Sequence, residues 1–350
     1  MLTKEEQKQY DRHLILNEVG VEGQLKLKQA KVLVIGAGGL GCPVLQYLTA
    51  AGVGTIGLID DDVVSQSNLQ RQILYTQNDI DTPKVLAVSK RLAALNPFIQ
   101  FNTYHEKLTK ENAIELFSKY DIIVDGSDNF STRYLVNDTA VLTNKTLVYG
   151  AIFKFEGQVS VFNYNDGPTY RCLYPTPPKA NEVPNCSQIG VIGVLPGVIG
   201  CLQANEVIKI ICGLGEVLSG KMLTYNLLTM QQMVLKFKRT DKADIKELEE
   251  NYDVFCGIRL IENEITLTEL NKNKEAYNLL DVREDLERER YHIGGQHIPL
   301  GELSQRFKEV DIAKDIIVYC KSGMRSAKAI DFLKEQFNDT NFINLKGGIL

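Results

Sequence analysis

A chain of 350 residues with 44% hydrophobic and 24% charged residues has the composition of an ordinary soluble globular protein, and it is longer than one core usually serves, so two domains are expected. A net charge of -5 gives no basic surplus to mark a nucleic-acid surface, and the polar start "MLTKEEQKQYDRH" contains no apolar signal core, which points to the cytoplasm. The longest apolar stretch, around Ile189 to Cys212, is interrupted by Gly, Pro, Gln, Asn and Glu, and the seven irregularly spaced cysteines exclude a disulfide framework and favour free thiols.

Along the chain the pattern is β then α, repeated. "KVLVIGAGG" predicts a buried strand running into a glycine loop, "GLGCPVLQYLTAAG" a helix ending at Gly52, and "TIGLID" a second strand. "TPKVLAVSKRLAALNP" predicts a crossover helix capped by Thr82 with Pro83 in its first turn. "FIQFNTYH", "TKENAIELFSKY" and "DIIVDGSD" continue as strand, helix and strand. These units imply a Rossmann-like, mostly parallel sheet with helices on both faces, whose ligands sit beyond the carboxyl ends of the strands. "LVYGAIFKFEGQVSVFNY" alternates as antiparallel strands would and extends the sheet, a Pro-rich irregular segment follows, and "VLPGVIGCLQANEVIKIICG" predicts a long apolar helix. The charged run from Lys238 to Asn251 predicts a linker or a solvated helix. A new, smaller α/β pattern then begins, giving expected domains at 1–250 and 258–350.

"GAGGLG" sets Gly36, Gly38 and Gly41 in the arrangement that makes a tight turn, a close approach to phosphate and close helix–strand packing, with Gly39 opening the helix. Alone, the motif favours NAD or FAD, and Asp60, roughly 20 residues later, stands where a carboxylate holds ribose hydroxyls. A dehydrogenase does not explain the charged residues beyond Asp60. Asp61, Asp62, Asn68, Arg71, Lys84 and Asp128 all fall on the same sheet edge. A triphosphate needs several positive groups and Mg²⁺, whereas hydride transfer needs neither. The bland reading of each charge is a solvated loop or helix-start residue; their convergence on one edge favours ATP.

"RHLIL", "GAGGLG", "LIDDDVVSQSNLQRQ", "TPKV", "DGSDN" and "PGVIGCLQANEVIK", in this order over about the first 240 residues, resemble the ThiF/MoeB family, bacterial relatives of ubiquitin-activating enzymes. The resemblance implies ATP-dependent adenylation of the C-terminal glycine of a ubiquitin-like sulfur carrier, MoaD-like or ThiS-like and ending in Gly-Gly. It also implies site roles: Asp60 on the ribose; Gly39 against the α-phosphate; Asn68, Arg71 and Lys84 on the triphosphate; and Asp128 on Mg²⁺ beside Asn129. Arg12 matches an arginine that reaches the neighbouring subunit's ATP, which implies a homodimer. Members often hold structural zinc on two C-x-x-C pairs, but here the places read "TYRC" and "DVFC". Thr169 and Asp253 replace two thiolates, and Cys172 with Cys256 cannot complete a four-ligand site, so no structural zinc is expected. Cys186, in "VPNCSQIG", stands where some relatives carry a cysteine that bonds to the activated carrier; an idle loop thiol is the competing reading. Cys42, Cys201 and Cys212 fall on apolar helical stretches and are expected in the core.

In the last stretch, "NLLDVRE" predicts a strand, "GGQHIPLGEL" a turn leading to a helix, and "DIIVYCKSGMRSAKAIDFLKEQF" strand, loop and helix. Cys320 ends the strand and Arg325 opens the helix, one residue closer than in the Cys-to-Arg loop of tyrosine phosphatases. Amides of such a loop turn inward at a helix N-terminus and stabilise a sulfur anion, so Cys320 is expected to be the most readily alkylated thiol and a persulfide carrier, with Arg325 assisting. With "LKGGI", these motifs resemble a rhodanese domain, which usually continues past this point, often with a tryptophan; the chain has no Trp and stops at Leu350, so a C-terminally short domain is expected. The two resemblances together imply adenylation coupled to sulfur transfer in molybdopterin, thiamin or related metabolism. The alternatives are an NAD(P)-dependent oxidoreductase with a regulatory sulfur-binding domain, weakened because His13 and His105 are expected outside the glycine-loop edge, and a protein that binds nucleotide without turnover. No membrane or nucleic-acid partner is expected.

Overall fold

The structure, a computed structural model, describes residues 1–178, 190–257, 263–321, 323–337 and 340–349. It divides into two compact units, Met1–Ile258 and Arg259–Leu350.

In the first unit, strands β1 (Lys31–Ile35), β2 (Thr55–Ile59), β3 (Gln100–Tyr104), β4 (Ile122–Asp125) and β5 (Thr146–Phe153) are parallel; β6 (Glu156–Phe162), β7 (Lys221–Asn226) and β8 (Gln231–Lys236) continue the sheet antiparallel. The order β3-β2-β1-β4-β5-β6-β7-β8 reverses direction between β1 and β4. β1 is apolar at nearly every position because both faces are covered. Val32 and Val34 join one core with the helices Gly41–Ala51, Lys84–Leu95 and Val194–Cys212; Leu33 and Ile35 join the other with Lys110–Ser118 and Phe130–Leu142. The helix Val194–Cys212 is long and apolar enough to cross a membrane. Here it packs on the Gly41–Ala51 helix, β5 and β6, with Gln203 and Glu206 buried.

Two sequence expectations change. The crossover helix starts at Lys84 with Pro83 at its cap, while Thr82 gives its carbonyl to the Val64 N–H. The Lys238–Asn251 run is not a free linker, and its one helical piece is a single 3-10 turn at Asp241–Ala243. Ala243 is buried, Arg239 donates to the Asp166 and Gly167 carbonyls, and Glu249 accepts from Arg171 at 3.0 Å, so specific polar bonds hold the run to the first unit.

The second unit is a five-stranded parallel sheet of β9 (Glu264–Ile265), β10 (Asn278–Asp281), β11 (Gln296–His297), β12 (Ile316–Tyr319) and β13 (Phe342–Leu345), in the order β11-β10-β12-β13-β9. The helix Met324–Gln336 follows β12 and covers one face, placing Ala329, Ile330 and Leu333 in the core.

Candidate active sites

Ligands of open α/β sheets bind where the strand order reverses, and in the first unit two glycine turns meet there. Gly36 donates to the Ile59 carbonyl and Gly126 to that of Ile35, each at 2.9 Å. A Cβ on Gly126 would lie 2.9 Å from the Ile35 oxygen, and one on Gly41 would overlap the Gly36 oxygen. Only glycines let the loop, the first turn of Gly41–Ala51 and the turn after β4 close together. Asp60 braces this loop. Its Oδ2 accepts the Ala37 N–H at 2.7 Å and its Oδ1 the Asp62 N–H at 2.8 Å. Burial pushes the Asp60 pKa above the usual carboxylate range, opposed by Lys84 at 4.0 Å. The buried Lys84 ammonium also pairs with Asp62 at 2.6 Å.

Arg71 donates from Nη1 to the Ser67 carbonyl at 3.1 Å, and its stem lies 3.6 Å from where a Cβ on Gly39 would stand, with Gly38 one residue before. Asn68 spends its side-chain oxygen on the Ser65 N–H at 3.1 Å, fixing the turn that aims Arg71. After β4, Asp128 is exposed and Asn129 caps the Phe130–Leu142 helix through the Thr132 N–H at 2.9 Å. Arg12 is exposed on the short helix Asp11–Leu14, which packs on Gly20–Gln29.

His105 corrects the sequence reading. β3 runs in register beside β2, so His105 emerges at the same edge, with Nε2 3.2 Å from the Asp61 carbonyl oxygen. His13 instead pairs with Gln24 Oε1 at 2.9 Å.

The sequence did not single out the buried polar groups around the loop: Gln72, Ser127 and Gln203. Gln72 Oε1, Ser127 Oγ and Gln203 Oε1 are buried without a hydrogen-bond partner among the described residues. Buried polar atoms left this way call for an explanation, such as a ligand that completes them. The one available signal was position, since Gln72 closes the string "SNLQRQ" and Ser127 lies in "DGSDN".

Of the cysteines, Cys42 and Cys212 are buried and Cys201 is half-buried; burial pushes the Cys42 thiol up to about 12. The Cys172 sulfur accepts the Thr169 and Thr240 N–H groups at 3.4 Å each and lies 3.5 Å from the Thr169 hydroxyl. Burial opposes this, but those donors outweigh it and lower the thiol pKa. Burial pushes Cys256 up to about 11. Arg171, next to Cys172 in the chain, and Tyr252, four residues before Cys256, converge on the fully buried Asp138. Cys186 lies outside the described residues.

In the second unit Cys320 follows β12 directly and is fully buried. Gly323, at φ 84°, caps the Met324–Gln336 helix, whose N-terminus opens beside the loop. The Ser326 hydroxyl lies 3.4 Å from Cys320 Sγ and 3.0 Å from the Gly323 carbonyl. The chain's end forms the loop's floor: the Ile349 N–H donates to the Cys320 carbonyl at 2.9 Å, and a Cβ on Gly348 would overlap Cys320 and Lys321 backbone atoms. Two expectations shift here. A buried sulfur is shielded from bulky alkylating reagents, so Cys320 does not stand out by exposure. Arg325 makes a two-pronged ion pair with Glu287, at 2.6 and 2.7 Å, which raises the pKa of the guanidinium and lowers that of the carboxylate.

The first unit matches the ThiF family over residues 10–246. The chain belongs to the ThiF family. Residues 266–350 match the rhodanese-like domain, so the chain joins the two modules. The "Sulfur carrier protein adenylyltransferase" of Thermus thermophilus is 50% identical, over 73% of this chain and 99% of its own length. The "Probable adenylyltransferase/sulfurtransferase MoeZ" of Mycobacterium tuberculosis is 42% identical over 100% of this chain and 93% of its own. The "Adenylyltransferase and sulfurtransferase MOCS3" of Xenopus laevis is 39% identical, covering 100% and 86%. Among solved structures, Escherichia coli MccB shares the fold with a TM-score of 0.60 at 22% identity, over 72% of this chain and 74% of that one. Relatives named for adenylyl and sulfur transfer thus run the length of this ThiF-family chain, and ATP use follows from that family.

Proposed function

We propose that the chain adenylates the C-terminal glycine of a ubiquitin-like sulfur carrier and then passes it sulfur from a persulfide on Cys320. The observation that carries this reading is the set of cations at the glycine loop: Arg71 against Gly39 and Lys84 against Asp60 supply the charge a triphosphate needs and a nicotinamide nucleotide does not. Asp60 takes the ribose, and Asn68 holds the turn from which Arg71 reaches the phosphates. A carboxylate oxygen of the carrier attacks the α-phosphorus, the acyl–O–P bond forms and pyrophosphate leaves. No side-chain base is required, because the carboxylate is already ionised at neutral pH. The persulfide of Cys320 then displaces AMP at the acyl carbon. A low-molecular-weight thiol then cleaves the S–S bond to release the thiocarboxylate and is left in a mixed disulfide with Cys320, while Cys186 stays the candidate for the cysteine that bonds to the activated carrier.

The exposed carboxylate of Asp128, on the loop packed against Gly36, suits Mg²⁺, which is held by one or two carboxylates plus substrate phosphates. When bound, the ion supplies neutralisation of the departing pyrophosphate's charge. A homodimer in which Arg12 reaches the other subunit's ATP completes the reading, with no structural zinc and a cytoplasmic site of action.

The deciding experiment mixes the protein with Gly-Gly-ended carriers, ATP, Mg²⁺ and a sulfane-sulfur donor, and weighs the carrier. Exchange of one oxygen for sulfur is expected, with pyrophosphate release and loss of both in Asp60→Ala. Reduction of a nicotinamide cofactor without any change in a carrier would favour the oxidoreductase instead.

A further inference from the structure

Gln72 is 4% exposed, yet its side-chain carbonyl, Oε1, has no donor among the described residues. Its backbone is anchored on both sides: the N–H donates to the Asn68 carbonyl at 2.9 Å, and the carbonyl accepts the Tyr75 N–H at 3.1 Å. The Tyr75 hydroxyl in turn holds the Ala37 carbonyl at 2.8 Å, so this turn and the glycine loop are fastened together. The side-chain nitrogen of Gln72 points over that loop, 3.8 Å from where a Cβ on Gly38 would stand.

Gly38 is the middle glycine, where the backbone makes room for phosphate. The nitrogen end of the amide therefore suits a phosphate oxygen. The carbonyl end needs a donor, and phosphates have none. The nucleotide's own donors, the ribose hydroxyls and the adenine amino group, belong to the Asp60 side of the site and beyond. The donor that arrives beside the α-phosphate is the peptide N–H of the residue whose carboxylate attacks it.

We infer that Gln72 positions the acyl acceptor, its carbonyl receiving the last peptide N–H of the carrier while its amide nitrogen faces the phosphates. This rests on the proposed adenylation of a carrier. It makes Gln72 a selector for an unhindered secondary amide at the carrier's end, a demand on the peptide backbone rather than on any side chain. The carbonyl's part acts on the productive alignment of carboxylate and phosphorus, separately from the amide nitrogen's part in holding nucleotide.

The test compares wild type with Gln72→Met, which keeps length and apolar bulk but loses both polar ends. It uses a carrier that supports exchange with wild type, and a semisynthetic version N-methylated at its last peptide nitrogen. In Gln72→Met, carrier-dependent ATP–pyrophosphate exchange should fall about tenfold in kcat/KM for carrier, the effect of one lost hydrogen bond. Rates are compared at saturating ATP, because the same substitution removes the nitrogen that faces the phosphates and weakens nucleotide binding by about tenfold or more, as loss of a hydrogen bond to a charged group does. N-methylation should cost wild type a similar factor and Gln72→Met little more. Gln72→Asn tests geometry: its amide retains both polar ends but is one methylene shorter, and it should recover part of the loss.

Equal losses from N-methylation in both proteins, or an unchanged exchange rate in Gln72→Met at saturating ATP, would each overturn the inference. If wild type binds a non-hydrolysable ATP analogue but exchanges with no carrier, the adenylation reading itself fails and takes this inference with it.

Discussion

Replacing Arg171 with methionine should lower the melting temperature of the first unit substantially, and a chelator should leave it where it is. Asp138 is fully buried and receives Arg171 Nε at 2.8 Å and Nη2 at 2.6 Å, the Tyr252 hydroxyl at 2.7 Å and Asn137 Nδ2 at 2.9 Å. Removing one partner of such a pair leaves a buried charge and costs about 3–5 kcal/mol. Two donors remain in Arg171→Met, so the lower figure applies. At about 2–4 °C per kcal/mol for a domain of this size, about 3 kcal/mol corresponds to roughly 6–12 °C. Loss of the guanidinium stacked 4.6 Å from Phe255 adds to the effect.

The position of this network gives the experiment its force. Arg171 lies between Thr169 and Cys172, and Tyr252 adjoins Asp253, so the bonds that meet on Asp138 join the two segments that carry the thiols. If that bond ties them without metal, differential scanning calorimetry with and without a strong chelator should give superimposable transitions. Arg171→Met combined with Asp138→Asn should recover much of the loss, because an apolar and neutral pair no longer buries a charge. A transition in Arg171→Met within about 2 °C of wild type would refute the energetic argument, since about 3 kcal/mol cannot hide in so small a shift. A chelator-induced fall would refute the metal-free tie.

Three further outcomes are expected. Arg12→Ala and Asp128→Ala chains, each inactive alone in pyrophosphate exchange, should regain part of the activity when mixed and allowed to trade subunits, since one of the two heterodimer sites is intact; no regain after verified exchange would place Arg12 in its own subunit's site or in none. Gly348→Ala forces a side chain into the floor of the Cys320 loop at φ 70°, so sulfur uptake by Cys320, read by mass spectrometry, should drop by about tenfold or more while carrier adenylation is unchanged; undiminished uptake would show that the floor does not shape the loop. Arg325 holds the Glu287 pKa below its ordinary value. The pair's stabilisation is therefore present above the unfolded value of about 4.3 and is lost as pH falls through the lower folded value. Glu287→Gln should accordingly flatten the acid limb of the second unit's melting curve, and an unchanged limb would show that the pair contributes nothing.

The parallel sheet and its edge were legible because they depend on local pattern. Continuous apolar strands, glycines at the turn and a carboxylate at the end of β2 are each set by a few adjacent residues, and Gly36 and Asp60 fall where those rules put them. The rest depends on contacts between distant segments. Nothing local in the Lys238–Asn251 run says that Glu249 meets Arg171, 78 residues earlier, so a charged stretch reads as solvated until its partner is known. His105 was misplaced for a related reason: it follows a strand whose register with β2 is a tertiary fact.

The same distinction separates what a charge is from what it is free to do. Arg325 opens the helix after the Cys320 loop, and by sequence that place makes it a ligand for a sulfur anion. Its guanidinium is instead spanned by both oxygens of Glu287, 38 residues away, with the two side chains about equally exposed at 29% and 30%. An ion pair this open to water is weak and exchanges easily, so it does not abolish the arginine's attraction for an anion; it sets a competitor beside it. Among the described residues the Gly323-capped helix N-terminus and the Ser326 hydroxyl, 3.4 Å from Cys320 Sγ, carry no such ion pair, and they stand beside the sulfur whatever Arg325 does. Persulfide stabilisation at Cys320 should therefore survive Arg325→Gln better than it survives Gly348→Ala, which displaces the Cys320–Lys321 backbone itself. The reverse order, measured as the lifetime of the loaded persulfide, would return Arg325 to the leading role its position in the sequence suggests.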